Sequence, residues 1–90
     1  MSDPLERLVD DIVVLDTATP ILYIGTLIEV TEHALTLRDA DMHDCRDGHA
    51  NKELYLADTC RDGVTPNRRT IVVARAAVIS VSPLADVVTD

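Results

Sequence analysis

Two long aliphatic runs, at residues 21–30 and 70–82, constrain the fold of this chain more than any other feature. Both are rich in Val and Ile, which favour the pleated, half-buried surface of a β-sheet. The stretch between them is largely acidic and polar, above all at residues 39–69. We therefore expect the two runs to form the inner strands of a small barrel, with the polar stretch outside it.

The composition limits the chain to one small aliphatic core. Its 90 residues support a single domain, which we expect to span residues 1–90. Tyr23 and Tyr55 are the only aromatic residues, so the core must be built from Val, Ile, Leu and Ala. A thin core in a short chain gains stability when it is buried against copies of itself, and we therefore expect a homo-oligomer.

The charge balance argues against a general affinity for polyanions. The chain carries 16 acidic and 8 basic residues, a net charge of −8, which opposes the counterion release that drives nucleic-acid binding. Any RNA contact must therefore be local. No apolar run approaches the about 20 residues that a membrane-spanning helix needs, and the opening MSDPLERLVDD does not resemble a signal peptide. We expect a cytoplasmic protein without membrane contact.

The N-terminal third reads as a short helix followed by a hairpin. Ser2 or Asp3 can cap a helix that has Pro4 at its first position and ends near Asp10. Residues 12–15 form a first strand, and the turn residues at 16–20 follow it.

The run at residues 21–30 has apolar residues on both faces and a glycine inside it. Alternation places Leu22, Ile24, Ile28 and Val30 on one face, and Tyr23, Leu27 and Glu29 on the other. Gly25 predicts a bend, a bulge or a close approach of another backbone. A polar turn at 31–33 and a strand at 34–38 complete the hairpin.

The remaining elements are an insertion and two further strands. Residues 39–69 are predicted to form an acidic insertion containing one short helix, which Asn51 caps and Gly63 ends. The Ala-Arg-Ala-Ala centre of the last run divides it into strands at 70–74 and 77–82. Pro83 ends the second strand, and residues 84–90 form a tail or one helical turn.

In this order, the elements resemble the Sm-like family, which includes the Hfq-type (LSm) proteins that associate with RNA. The segment YIGTLIEVTEHALTLRDA looks like the first motif of that family, and RAAVISVSP looks like the second. The resemblance implies a mainly β fold: a strongly bent, five-stranded antiparallel barrel with a short N-terminal helix. It also implies a non-enzymatic protein with no cofactor.

The resemblance further implies closed rings of five to seven subunits, in which the last strands of neighbouring subunits pair. Ring closure would remove the exposed edges of an open barrel. The expected interface residues lie in the last two strands: Ile71, Val72, Val73, Val78, Ile79 and Val81.

The RNA contacts of the family come from two turns, and here these correspond to Thr31, His33 and Arg75. The family usually has an Asp and an Asn in the first turn and an Arg-Gly or Lys-His pair in the second. This chain has Thr31, no Asn, and Arg75 followed by Ala76. Two functions therefore stay open: a ring that binds single-stranded RNA at its pore, and a homo-oligomeric scaffold whose acidic insertion meets a basic protein.

The insertion concentrates potential metal ligands and thiols. His43, Cys45, His49 and Cys60 could in principle surround a zinc ion, but their spacing matches no known zinc signature, and the acids do not form a calcium loop. We expect a solvated acidic loop with no metal. Cys45 beside His43 lacks any identifiable oxyanion hole, so no catalytic residue is assigned. In a reducing compartment the two cysteines are expected to be free thiols, although a disulfide is conceivable.

Positive charge is concentrated at Arg68, Arg69 and Arg75. These residues either form salt bridges with the abundant carboxylates or contact an anion or RNA at the pore. His33 has the same two interpretations, as a solvent-facing turn residue or as a base contact.

Overall fold

The computed structural model describes residues 3–46 and 51–89, which form one antiparallel sheet with a helix against it. The strand order is β4-β3-β2-β1-β5, and every neighbouring pair is antiparallel. The predicted mainly β fold, with five strands in a strongly bent antiparallel sheet, is confirmed. The elements are β1 (Ile12–Thr17), β2 (Ile21–Val30), β3 (Ala34–Asp44), α1 (Lys52–Asp62), β4 (Arg68–Ala74), β5 (Val78–Pro83) and three 3-10 helices, Pro4–Leu8, Arg75–Ala77 and Leu84–Asp86.

The N-terminal helix begins where the sequence predicts. The Asp3 side chain accepts a hydrogen bond from the Leu5 amide, and Pro4 takes the first position. The helix is a single 3-10 segment that ends at Leu8, and Asp10 then adopts a positive φ of 78° as the chain turns into β1. The predicted end near Asp10 is therefore two residues too late.

The glycine in β2 marks a close approach between two backbones. A Cβ on Gly25 would lie 3.0 Å from the Ala40 Cα and 3.1 Å from the Arg38 carbonyl oxygen. The β2–β3 register shifts at this point, between Ile24 and Thr26. The glycine therefore permits a close backbone approach, one of the three alternatives that the sequence predicted.

A second register shift, between Leu27 and Glu29, changes which side chains share a face. Leu27 and Val30 both join the main core, whereas simple alternation had grouped Val30 with Leu22 and Ile24. That grouping is wrong because a bulge adds a residue to one strand and so reverses the alternation beyond it.

The sheet is apolar on both faces. One face carries the main core, and the opposite face, here called the helix face, packs against α1 and the C-terminal 3-10 helix through Val14, Leu22 and Ile24. The buried residues of the main core are Val13, Leu15, Leu27, Val30, Leu35, Leu37, Ala40 and Val73.

The connection between β3 and β4 is shorter than the 39–69 insertion expected from the sequence. Strand β3 continues to Asp44, which pairs with Ile21, and β4 begins at Arg68, so the connection between the two strands comprises residues 45–67. The predicted helix is present as α1. The Asn51 side chain accepts a hydrogen bond from the Leu54 amide at 2.9 Å, and Gly63 follows the helix with φ 89°.

The last aliphatic run is divided as predicted, by the 3-10 turn Arg75–Ala77 between β4 and β5. These two strands are the outer strands of the sheet. The C-terminal segment makes one 3-10 turn, from which Leu84 and Val87 pack on the helix face. Within the described residues, no helix is long and apolar enough to cross a membrane.

Candidate nucleic-acid and assembly interface

The three residues expected to contact RNA lie together in the structure. The bend between β4 and β5 packs against the turn between β2 and β3, and the Arg75 amide donates a 2.8 Å hydrogen bond to the His33 carbonyl oxygen. The Arg75 side chain also reaches this turn, because its Nη1 donates to the Thr31 carbonyl oxygen at 3.0 Å. Two turns that are distant in sequence thus form one surface.

Thr31 organises the turn between β2 and β3. Its Oγ1 accepts hydrogen bonds from the amides of His33, at 3.2 Å, and Ala34, at 3.0 Å. A threonine hydroxyl can stabilise a turn in this way, as an aspartate would. The His33 side chain is 88% exposed, with its Nε2 3.9 Å from the Glu32 carboxylate. The turn therefore presents an imidazole to solvent beside a negative charge.

The Arg75 guanidinium is already paired with a carboxylate. Its Nη1 and Nη2 donate to the two carboxylate oxygens of Asp3 at 2.5 and 3.0 Å, a bidentate arrangement. This hydrogen bonding lowers the pKa of Asp3 and raises the pKa of Arg75. From the sequence, Asp3 is predicted only as a helix cap, and its contact with Arg75 has no local signal because 72 positions separate the two residues.

The six expected interface residues divide into two groups. Ile71, Val78 and Val81 pack against the main core, and Val73 is only 4% exposed within it. The two residues that project away from the core are Val72, 64% exposed, and Ile79, 65% exposed, one on each outer strand. Their side chains are available for contact with another molecule.

A buried polar network that the sequence did not predict anchors α1 to β3. Asp41 is 4% exposed and accepts hydrogen bonds from the Tyr55 hydroxyl and from Asn67 Nδ2. Burial, together with the Asp41 carboxylate, raises the pKa of Tyr55. The His43 ring stacks on Tyr55 with ring centroids 3.7 Å apart. His43 therefore has a packing role here.

The remaining candidate ligands do not converge among the described residues. No group of three or more His, Cys, Asp or Glu side chains that could hold a metal occurs in residues 3–46 and 51–89. His49, one of the four residues considered for zinc, lies outside those ranges. Cys45 and Cys60 are free thiols. Burial raises the pKa of Cys45, which disfavours the thiolate that a nucleophile would need.

The other two arginines of the basic group start β4. Arg68 Nη1 donates to the Asn67 carbonyl oxygen at 2.9 Å, and neither Arg68 nor Arg69 forms an ion pair within the described part of the chain. Of the three arginines, Arg75 is therefore the one that forms, within the described residues, the salt bridge that the first interpretation predicts.

Comparison with known proteins identifies the fold. No model of a protein family matches the chain, and no curated protein matches its sequence. Among solved structures, the chain is similar to an Sm protein from Pyrococcus abyssii in complex with a uridine heptamer, with a TM-score of 0.61 and 23% sequence identity. The similarity covers 91% of this chain and 99% of the Sm protein. Together with the order and pairing of its five strands, this similarity shows that the chain has the Sm-like fold.

Proposed function

We propose that this chain is a non-enzymatic module that assembles into a ring of five to seven subunits, with β4 of one subunit pairing with β5 of the next. The observation that carries the proposal is that the sheet ends in two strands, each with one unpaired edge within the described residues. Unpaired edges present rows of free N–H and C=O groups that readily pair with another chain. Each edge here also exposes a large aliphatic side chain, Val72 or Ile79.

Assembly can be tested on these two side chains without damage to the core. Val72→Asp and Ile79→Asp each place a charge at an exposed position, and Leu54→Asp, at a residue 55% exposed on α1, is the matched control. We expect the wild type and Leu54→Asp to form the same oligomer by native mass spectrometry, and the two edge variants to dissociate. Far-ultraviolet circular dichroism reports whether each variant is folded. An unchanged particle mass in both edge variants would contradict the proposal.

We infer that the ligand of the ring is single-stranded RNA, held at the surface formed by Thr31, His33 and Arg75. The support is the convergence of these residues, together with the uridine complex of the similar Sm protein. Arg75 has the geometry to bind a phosphate with two hydrogen bonds, and the exposed His33 ring can stack on a base. Because the net charge of the chain is −8, binding must depend on these few contacts.

The RNA contact is tested by removing one positive charge at two different places. Arg75→Gln removes the proposed contact, whereas Arg7→Gln makes the same change of charge on the exposed N-terminal 3-10 helix. A hydrogen bond to a charged group is worth about 1.5–3 kcal/mol, so we expect Arg75→Gln to weaken uridine-rich RNA binding at least about tenfold. Fluorescence anisotropy measures the affinity. Equal effects of the two variants would remove Arg75 from the site.

The second candidate is a protein-interaction scaffold that binds no nucleic acid. The pairing of Arg75 with Asp3 favours it, because that carboxylate occupies the donors that a phosphate would need. The acidic excess also favours a basic protein as the partner. A ring that fails to bind uridine-rich or adenosine-rich RNA at low salt would select this function over the first.

A further inference from the structure

The ammonium group of Lys52 lies in a cage of three oxygen atoms at the turn between β1 and β2. Its Nζ is 2.6 Å from Asp16 Oδ1, 2.9 Å from the Thr17 carbonyl oxygen and 2.7 Å from the Thr19 carbonyl oxygen. A lysine ammonium has three N–H bonds, and each of them has an acceptor here. Lys52 is the first residue of α1, so the cage holds the start of that helix against the turn.

The turn has hydrogen bonds of its own that keep these oxygens in place. Thr17 is buried, and its Oγ1 lies 2.8 Å from both Thr19 Oγ1 and the Ile21 carbonyl oxygen. Asp16 Oδ1 also accepts a hydrogen bond from the Thr17 amide, at 2.9 Å. None of these contacts involves Lys52. The three oxygens should therefore stay arranged around one point when the lysine side chain is removed.

The composition of the cage fits a monovalent cation. One carboxylate and two carbonyl dipoles supply a single full negative charge, which balances a single positive charge. A divalent ion such as Ca²⁺ would keep an uncompensated charge here, and it takes about six to eight oxygen ligands. Carbonyl oxygens replace the hydration shell of K⁺ in selective protein sites. Because K⁺ and ammonium have nearly the same ionic radius, a cage that fits a lysine ammonium also fits either free ion.

We propose that this turn is a binding site for a monovalent cation, which the wild-type chain fills with its own Lys52 ammonium and which binds K⁺ or free ammonium when that side chain is removed. The site is separate from the surfaces proposed for RNA and for assembly. A tethered ammonium has a much higher effective concentration than a free ion, so K⁺ does not displace it. The attachment of α1 to the turn is therefore independent of K⁺ in the wild type and dependent on it without the lysine.

The variant Lys52→Ala empties the cage. Its thermal unfolding is measured in the chlorides of K⁺, ammonium, Li⁺ and tetramethylammonium at one ionic strength, so that general screening is the same in each. Li⁺ is too small to contact all the oxygens, and tetramethylammonium is too large to enter. We expect K⁺ and ammonium to raise the melting temperature by about 2–5 °C relative to the other two salts. The wild type, whose cage is filled, should show no such difference.

Propylammonium is a second probe, because it reproduces the part of the side chain that Lys52→Ala removes. It should stabilise this variant more than ammonium does, since its apolar chain also fills the space that the lysine stem leaves. Arg61→Ala is the matched control. It removes a basic side chain from an exposed position on the same helix, and it should respond to the cations as the wild type does.

The double variant with Asp16→Asn locates the bound ion. Asparagine keeps the shape of the Asp16 side chain but removes the negative charge of the cage, so the response of Lys52→Ala to K⁺ should fall to the wild-type level. Hydrogen exchange provides the local measurement. In Lys52→Ala, K⁺ should slow the exchange of the α1 amides, because the ion restores the turn to which this helix attaches.

Three results would overturn the cation site. One is a melting temperature of Lys52→Ala that is the same in all the salts. Another is equal stabilisation by K⁺ of Lys52→Ala and of the double variant with Asp16→Asn, because the ion would then bind outside the cage. If Lys52→Ala is unfolded in tetramethylammonium, its refolding in K⁺ or propylammonium supports the site, and failure to refold in either is the third such result.

Discussion

Both terminal nitrogens of the Arg75 guanidinium donate hydrogen bonds to the Asp3 carboxylate, and Nη1 also donates to the Thr31 carbonyl oxygen. Arg75 itself lies in the bend between β4 and β5. Its side chain thus connects this bend to the start of the N-terminal helix and to the turn between β2 and β3. The same nitrogens would bind a phosphate at the proposed RNA surface. In the proposed RNA complex, Asp3 would therefore compete with the phosphate for Arg75, and the negative charge of Asp3 would lower the affinity for RNA.

Replacement of Asp3 by Asn tests this competition. Asparagine is also a good helix cap, so the hydrogen bond from the Leu5 amide is kept while the negative charge is removed. We expect Asp3→Asn to bind uridine-rich RNA about two- to fivefold more tightly, the range expected for release of a partly exposed ion pair. Because Arg75 lowers the pKa of Asp3, the carboxylate stays charged between pH 5 and 8, and the difference should not vary over that range.

Glu6→Gln provides the matched control for the competition. Glu6 lies in the same 3-10 helix, is exposed, and forms no ion pair within the described residues. If Glu6→Gln strengthens RNA binding as much as Asp3→Asn does, then the general reduction of negative charge explains the gain, and direct competition for Arg75 does not.

The sequence predicted the elements well because their signals are local. Gly25 marked a close backbone approach, Asn51 and Gly63 marked the ends of α1, and the Ala-Arg-Ala-Ala segment marked the break between β4 and β5. The meeting of Thr31, His33 and Arg75 was implied by the resemblance, which supplied the order of the strands and hence the adjacent turns.

The features that the sequence missed depend on partners that are far along the chain. Residues 39–44 look like a loop because they are mostly polar, yet they continue β3. Strand β2 pairs with residues 41–44, and the hydroxyl of Tyr55 allows Asp41 to be buried. The Asp3–Arg75 pair likewise has no local signal. The bulge between Leu27 and Glu29 places Val30 on the main-core face, and no residue type in β2 predicts this bulge.

A methyl group at Gly25 should destabilise the domain. The new Cβ would lie 3.0 Å from both the Cα and the Cβ of Ala40, a fully buried residue whose backbone cannot easily move. Overpacking of this kind typically costs about 1–3 kcal/mol, and we expect Gly25→Ala to lower the free energy of unfolding in urea by that amount.

The double variant with Ala40→Gly isolates this contact. Removal of the Ala40 Cβ relieves one of the three close approaches, so the double variant should lose less stability than the sum of the two single variants. Strictly additive losses would show that the effect of Gly25→Ala comes from the unfolded chain or from elsewhere in the sheet.

Lys52 should anchor the first turn of α1 to the turn between β1 and β2. Its Nζ donates to Asp16 Oδ1 at 2.6 Å and to the carbonyl oxygens of Thr17 and Thr19 at 2.9 and 2.7 Å. Lys52→Met keeps an unbranched side chain that is one atom shorter and removes all three hydrogen bonds, and we expect a loss of about 1–3 kcal/mol in the free energy of unfolding.

The control for Lys52 is a second basic residue on the same helix. Arg61 pairs with Asp58 and Asp62 at the exposed C-terminal end of α1. Exposed pairs of this kind contribute little, so Arg61→Met should leave the urea midpoint nearly unchanged. A loss as large as that of Lys52→Met would mean that helix propensity or general charge explains both results.

The Tyr55 hydroxyl should stabilise the fold near neutral pH, and this stabilisation should be lost at alkaline pH. Tyr55→Phe removes a donor from the buried Asp41 carboxylate, which would keep Asn67 Nδ2 as its other side-chain donor, and we expect a loss of about 1.5–3 kcal/mol near pH 7. Burial and Asp41 raise the pKa of Tyr55 above its unfolded-state value, near 10. Its contribution is therefore complete below pH 10 and is lost as pH rises from there towards the folded-state pKa.

Urea unfolding of Tyr55→Phe and of Tyr23→Phe across pH 7 to 11 separates this effect from general alkaline denaturation. The Tyr23 ring packs against the main core, but its hydroxyl makes no hydrogen bond within the described residues. Tyr23→Phe should therefore keep the alkaline loss of stability seen in the wild type, whereas Tyr55→Phe should start less stable and lose less above pH 10. Parallel pH curves for the wild type and Tyr55→Phe would show that the phenol of Tyr55 does not anchor α1 to Asp41.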